Sequence, residues 1–257
     1  MTSLASWLRS DRGQAGLVVG TAVVLTTLVI QRVLFGQPPV AAINWLGIAR
    51  ANGRGIAAAL AVGALLLPII PAYAALAGTS VDWYPGWGWL LPGLLAQAGI
   101  AEEVLFRGYL FGHAREHRPF WPAVGVAMGP FVLVHLLLFL TLPWPVALAA
   151  VTLAAATCPP FAYLFELGGR SIWPPALVHF VMQGAIKIVI LPGAGVSLPL
   201  IWMVGCATVR YLVFSCHPGP RRARCGLKLG SSISRRHLAI ARLSEAPRWA
   251  DSDRRSP

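Results

Sequence analysis

Long apolar runs separated by short polar punctuation dominate this chain, and they set its elements. The first follows a polar start, Met1 to Gly16, and reads LVVGTAVVLTTLVI before Gln31 and Arg32. No small-residue cleavage site follows it, so it is expected to stay as a first transmembrane helix rather than leave as a signal peptide. A second run extends from Ile56 to Ala77, where Pro68 and Pro71 predict a kink whose freed carbonyls neighbouring helices must satisfy. Further runs cover Trp89 to His113, Pro122 to Leu142, Val146 to Leu167 with a break at Pro159 and Pro160, Trp173 to Leu191, and Val196 to Phe214. A helix needs about 20 apolar residues to cross a bilayer core of roughly 30 Å, so the expected fold class is all-α, a polytopic membrane bundle of about seven transmembrane helices.

The punctuation orients these spans. Arg50 and Arg54, then Arg115 and Arg118, then Arg170, and finally an arginine-rich stretch after His217 fall on one side if there are about seven crossings. That side is expected to be cytoplasmic, with the C-terminus on it and the N-terminus outside; Arg9 and Arg12 weigh against the last point. The loop from Gly78 to Gly88 holds Asp82 but no lysine or arginine, and Trp83, Tyr84, Trp87 and Trp89 read as an interfacial aromatic belt. Three regions follow: N-terminal transmembrane helices over 1–86, a core carrying the chemistry over 87–216, and a basic tail over 217–257 expected to be disordered and to skim the membrane.

Composition sharpens this picture. Of 257 residues, 56% are hydrophobic and 12% charged, against about 25% charged in soluble domains. The net charge of +12 is spread between spans and over the tail, where topology signals and anionic-lipid contacts place it. The lipid bilayer is therefore the expected partner, and nucleic acid is not. The four cysteines, Cys158, Cys206, Cys216 and Cys225, show no CxxC pairing and read as small apolar residues.

The chemistry lies in AEEVLFRG, Ala101 to Gly108, which places Glu102, Glu103 and Arg107 in a span otherwise built for lipid. Each ionisable group there costs free energy unless it is paired or used. Glu103 and Arg107, four apart on a helix, are expected to pair. Glu102 points about 100° away and is left to face a polar cavity as a general base. His135 in FVLVHLLLF, and His179 with Gln183 in ALVHFVMQG, add polar groups on two further spans. Together they are able to hold a water between Glu102 and His135 while His179 and Gln183 donate to a developing oxyanion. At about 1.5 Å of rise per residue, Glu102 lies roughly 18 Å from Ala114 and His135 roughly 20 Å from Trp121, whereas His179 lies only about 9 Å from Trp173. The helix carrying His179 must start deeper, tilt, or follow a loop that dips through Gly168 and Gly169. His113 and His117 are read as an interfacial turn rather than a metal site, Glu166 as interfacial, and Lys187 as snorkelling to the far interface.

Glu102, Glu103 and Arg107 reproduce an EExxxR motif, Phe131 with His135 an FxxxH motif, and His179 with Gln183 nearly an HxxxN motif. In this order and on successive spans they resemble the CAAX-processing and bacteriocin-processing (CPBP) intramembrane protease family, over about Trp87 to Leu191. The resemblance implies an endopeptidase that hydrolyses a peptide bond within the membrane near its cytoplasmic face. Carried over by position, Glu102, Glu103, Arg107, His135, His179 and Gln183 become its catalytic set, Glu102 and His135 activating water, His179 and Gln183 stabilising the oxyanion. Gln183 departs from the family's asparagine, and its extra methylene displaces the amide, which matters because small misplacements cost orders of magnitude in rate.

Cofactor use stays open between none and one zinc ion held by Glu102, His135 and His179 with water in a fourth position; without HExxH, the metal-independent version is preferred. The expected partner is a peptide or protein substrate, membrane-anchored or not. Rich Ala, Arg, Gly and Trp usage suggests a bacterial plasma membrane, which argues against a prenylated substrate. A proton-coupled transporter built on the same ionisable residues, and a non-catalytic immunity or scaffold protein of the same family, are the alternatives.

Overall fold

The computed structural model describes residues 12–193 and 195–216; expectations for Arg9, Cys225 and the basic tail lie outside these residues. The described chain is a bundle of eight helices. α1 spans Arg12–Phe35, α2 Pro39–Trp45, α3 Gly53–Ala77, α4 Trp87–His117, α5 Phe120–Leu140, α6 Trp144–Leu167, α7 Trp173–Ile188 and α8 Ser197–Tyr211. Six of them, α1, α3, α4, α5, α6 and α8 with its continuation to Phe214, are long and apolar enough to cross a membrane. The protein is an all-α, integral, multi-pass membrane bundle.

The remaining expected span, α7, is a 16-residue helix, roughly 24 Å at α-helical rise and thus shorter than the bilayer core. It stops at Ile188 because Val189 turns extended. Val189 and Ile190 then pair antiparallel with Asp82 and Trp83. The aromatic loop after α3 is therefore tied by backbone hydrogen bonds to the end of α7, and Tyr84 N donates to Ile188 O across the same join.

Each loop contact fixes an end of the bundle. At one end Asn52 N donates to Gly168 O, Ile172 N to Gly47 O, and the Ser171 hydroxyl to Ala49 O. Arg115 Nε lies 2.6 Å from Glu166 Oε1, joining the ends of α4 and α6. The loops with Arg50 and Arg54, Arg115 and Arg118, and Arg170 thus gather at this end, as grouped from the charge pattern. At the opposite end Thr79 bonds Pro192 O, and Tyr73 meets Ser197.

Small residues let the first helix reach the one that carries the glutamates. A Cβ on Gly13 would lie 2.0 Å from Trp89 O, and one on Gly93 2.1 Å from Gly13 O. Gly16 and Gly20 meet Gly93 and Ala96 in the same way. Close backbone approach of this kind is how helices gain packing in lipid, where no hydrophobic drive separates chain from solvent.

Candidate active site

α4 is not a regular helix. Leu95–Ala101 and Val104–Phe111 are wound as π-helix, with Glu102 and Glu103 between them. Pro92, inside the first turns, removes one i→i−4 hydrogen bond just before the first wide segment. Wide turns rise less per residue than an α-helix, so the depth of Glu102 inferred from uniform α-helical rise is an overestimate. Such segments recur where a side chain must be re-aimed for function.

Glu103 is 0% exposed and holds two partners on one oxygen. Arg107 Nη1 lies 3.2 Å from its Oε1, and His179 Nδ1 lies 2.8 Å from the same atom. The pairing with Arg107 matches the spacing in the sequence; the histidine partner was not foreseen. Because Nδ1 faces a carboxylate, the ring carries its proton there and donates it to Glu103. The Nε2 edge then faces Glu102, whose Oε2 is 3.8 Å away. That is beyond hydrogen-bond range and suits a bridging water. The Glu102 side chain is 26% exposed, so it is the member of the cluster open to the surroundings.

Arg107 is 2% exposed, and aromatic faces enclose its guanidinium. Its centre lies 4.7 Å from the Phe131 ring and 5.0 Å from the Phe161 ring, and Nη2 approaches Cys158 Sγ at 4.0 Å. Cation–π contacts and one ion pair together make a buried guanidinium tolerable. Phe131 also stacks on His135 with centroids 4.5 Å apart, and Phe161 on His179 at 5.4 Å.

His135 ends the α-helical part of α5, after which Leu136–Leu140 tightens to 3-10. Its Nδ1 lies 2.7 Å from Phe131 O, which leaves Nε2 as the free edge. Among the described residues no hydrogen bond or ion pair joins His135 to Glu102, or Gln183 to His179 or Glu102. Gln183 lies one turn beyond His179 and is half-buried. Lys187, a further turn on, is within electrostatic reach of Glu102 and Arg12.

Ser171 and Ile172 are 1% and 0% exposed, and the loop from Gly168 to Ile172 packs against the segment from Gly47 to Asn52. A Cβ on Gly55 would lie 2.5 Å from Gly168 Cα. These contacts fix the start of α7, the helix from which His179 reaches Glu103.

Three neighbours of the cluster carry no motif: Cys158 reads as a packing residue, Phe161 follows two prolines in an apolar run, and Arg210 sits in the last span. The cost of an arginine among MVGCATVRYLVF was the available signal. Arg210 is 0% exposed, its Nε donates to Cys206 O, and its guanidinium lies 5.5 Å from the Phe161 ring. Among the described residues Nη1 and Nη2 have no hydrogen-bond partner.

Among the described residues no group of three His, Cys, Asp or Glu side chains is arranged to hold an ion. Within the expected trio, Glu103 and Phe131 O occupy Nδ1 of His179 and of His135, which leaves the two Nε2 atoms and the Glu102 carboxylate as the edges a zinc ion would use. His113 is likewise packed, between Phe35, Trp45 and Tyr109.

Fold and site together define a multi-pass helical membrane protein whose bundle encloses a carboxylate, imidazole and guanidinium cluster. Residues 84–185 match the family model described as type II CAAX prenyl endopeptidase, Rce1-like. The chain has no match among curated proteins or among solved structures. The matched segment contains all six residues of the expected site; Arg210 and α1 lie outside it.

Proposed function

We propose that this protein is an intramembrane endopeptidase in which Glu102 is the general base and His179 its partner. The observation that carries this reading is the chain of contacts Arg107, Glu103, His179, Glu102. A buried carboxylate that fixes the tautomer and orientation of a histidine, with the opposite ring nitrogen turned to a second acid, is the arrangement general acid and base catalysis needs.

In this reading a water between Glu102 Oε2 and His179 Nε2 attacks the substrate carbonyl carbon and gives a proton to Glu102. A C–O bond forms, and the carbonyl electrons move to oxygen. The Gln183 amide is the remaining neutral donor for that oxyanion; His135 spends its Nδ1 proton on Phe131 O, so its Nε2 donates only when the ring is protonated. When the C–N bond breaks, the proton passes from Glu102 to the leaving amine, giving one acid and one amine. This exchanges the roles of His135 and His179 relative to those implied by the family motifs, because His179 is the histidine in contact with both acids. No step requires a metal.

The substrate is a peptide or protein reaching the bundle from the bilayer or its surface, and the end bearing Arg50, Arg115 and Arg170 is assigned to the cytoplasm by its positive charge. A bacterial plasma membrane fits the composition. The test is purified protein in detergent with lipidated and plain peptide libraries, comparing wild type with Glu102→Ala and His179→Ala, with and without chelator. Cleavage by wild type alone, insensitive to chelator, is expected. No new peptide ends above those of the variants removes the protease reading, and loss of activity with chelator removes the metal-free mechanism.

A further inference from the structure

At the basic end of the bundle, outside the cluster just described, lies a pocket of about 560 Å³. Gln37, Asn44, Trp45, Arg50, Arg170 and Ser171 give it its polar lining, and no carboxylate lines it. Two guanidiniums without an acid leave a concave site of one sign, which concentrates anions. Glu166, an acid at the same end, is taken by Arg115.

Arg170 is fixed rather than free. Its guanidinium lies 5.1 Å from the Trp45 ring, and Nη2 donates to Gly112 O. It is also the one non-glycine among the described residues with positive φ, at 63°, and it follows Gly169 at 78°. Two consecutive left-handed residues turn the chain so that Arg170 faces Trp45; a strained backbone held by its surroundings often marks a binding site. Arg50 is exposed and has no ion pair among the described residues.

The surroundings of the pocket favour an amphiphile. Ala41, Asn44 and Trp45 of α2 line it, and Val40 and Ile43 of the same helix are 72% and 38% exposed. An exposed apolar flank on a short helix at the basic end suits a place in the plane of the membrane interface. Its polar face, and with it the pocket, then sits at headgroup level. Phe35 and Leu34, also exposed, end α1 beside it.

We infer that this pocket binds the phosphate ester of an anionic membrane lipid, with Arg50 and Arg170 on the phosphate and Asn44 and Gln37 available to the polar remainder of the headgroup. Guanidinium pairs phosphate oxygens bidentately, and a volume of this size takes a headgroup rather than a bare ion.

The experiment titrates the full chain, in neutral detergent, with short-chain phosphatidylglycerol, short-chain phosphatidylcholine and inorganic phosphate, and reads binding by native mass spectrometry. Phosphatidylglycerol is expected to bind about tenfold or more tighter than phosphatidylcholine, and to weaken as salt rises. Arg50→Gln, at an exposed position with no internal ion pair, is expected to lose most of that preference while unfolding as the wild type does. Arg170→Gly keeps the left-handed turn and is expected to lose it too. Equal binding of the two lipids, an unchanged preference in Arg50→Gln, or inorganic phosphate binding as tightly as the lipid would each overturn the inference.

Discussion

His179 Nδ1 and Glu103 Oε1 are 2.8 Å apart although the two residues are 76 positions apart in sequence, and the same oxygen accepts from Arg107. One buried carboxylate therefore aligns the imidazole and balances the guanidinium. Removing it is expected to cost in two ways. Glu103→Ala leaves Arg107 buried and uncompensated, a loss on the order of 3–5 kcal/mol. Glu103→Gln keeps an oxygen for the Nδ1–H and is expected to unfold closer to wild type, yet to lose activity. Thermal unfolding in detergent, read beside peptide cleavage, checks both; an alanine variant as stable as wild type would deny Glu103 this role.

Glu102 is expected to behave in the opposite way. It is partly exposed, and its nearest charged contact is at 3.8 Å, too long to contribute much stability. Glu102→Gln should therefore unfold within about 1 kcal/mol of wild type. Cleavage should fall by roughly 10²–10⁴, the usual worth of a positioned acid or base. A glutamine variant that cleaves at the wild-type rate rules out Glu102 as the base.

The contrast between the two glutamates was partly legible beforehand. Four-residue spacing predicts the Glu103 to Arg107 pair, and burial cost marks both acids as paired or used. What spacing cannot carry is long-range. His179 reaches Glu103 from a helix whose start is fixed by hydrogen bonds between loop 168–172 and loop 47–52, and no periodicity reveals those. The π-helical turns around Glu102 escaped because an apolar run conceals its own winding. The end of α7 at Ile188 escaped because a two-residue pairing with Asp82 and Trp83 leaves almost no pattern.

Gly108, directly after Arg107, has a contact that its motif does not reveal. A Cβ there would lie 2.2 Å from Leu46 O, where a buried loop residue presses on α4. Gly108→Ala must push that backbone away, and overpacking of this kind costs about 1–3 kcal/mol. Gly125→Ala on α5 meets nothing within 4 Å and is expected to be silent. Paired melting curves decide the matter: equal midpoints for the two variants would mean that the Leu46 carbonyl does not set the position of this helix.

Arg210 tests how the bundle tolerates a charge outside the catalytic chain. Its guanidinium is fully buried, Nη1 and Nη2 have no hydrogen-bond partner among the described residues, and it contacts the Cys206 carbonyl and the Phe161 face. Arg107 lies on the same ring, so two like charges share one aromatic neighbour. Desolvating an unpaired cation costs several kcal/mol, and replacing buried charge by an apolar side chain of similar length is often neutral or stabilising by about 1–4 kcal/mol. Arg210→Met is accordingly expected to melt at or above the wild-type temperature. Because Phe161 also packs on His179, cleavage by the same variant reads whether the arginine holds that ring in place. Unfolding at a lower temperature would move Arg210 from a tolerated charge to a required one.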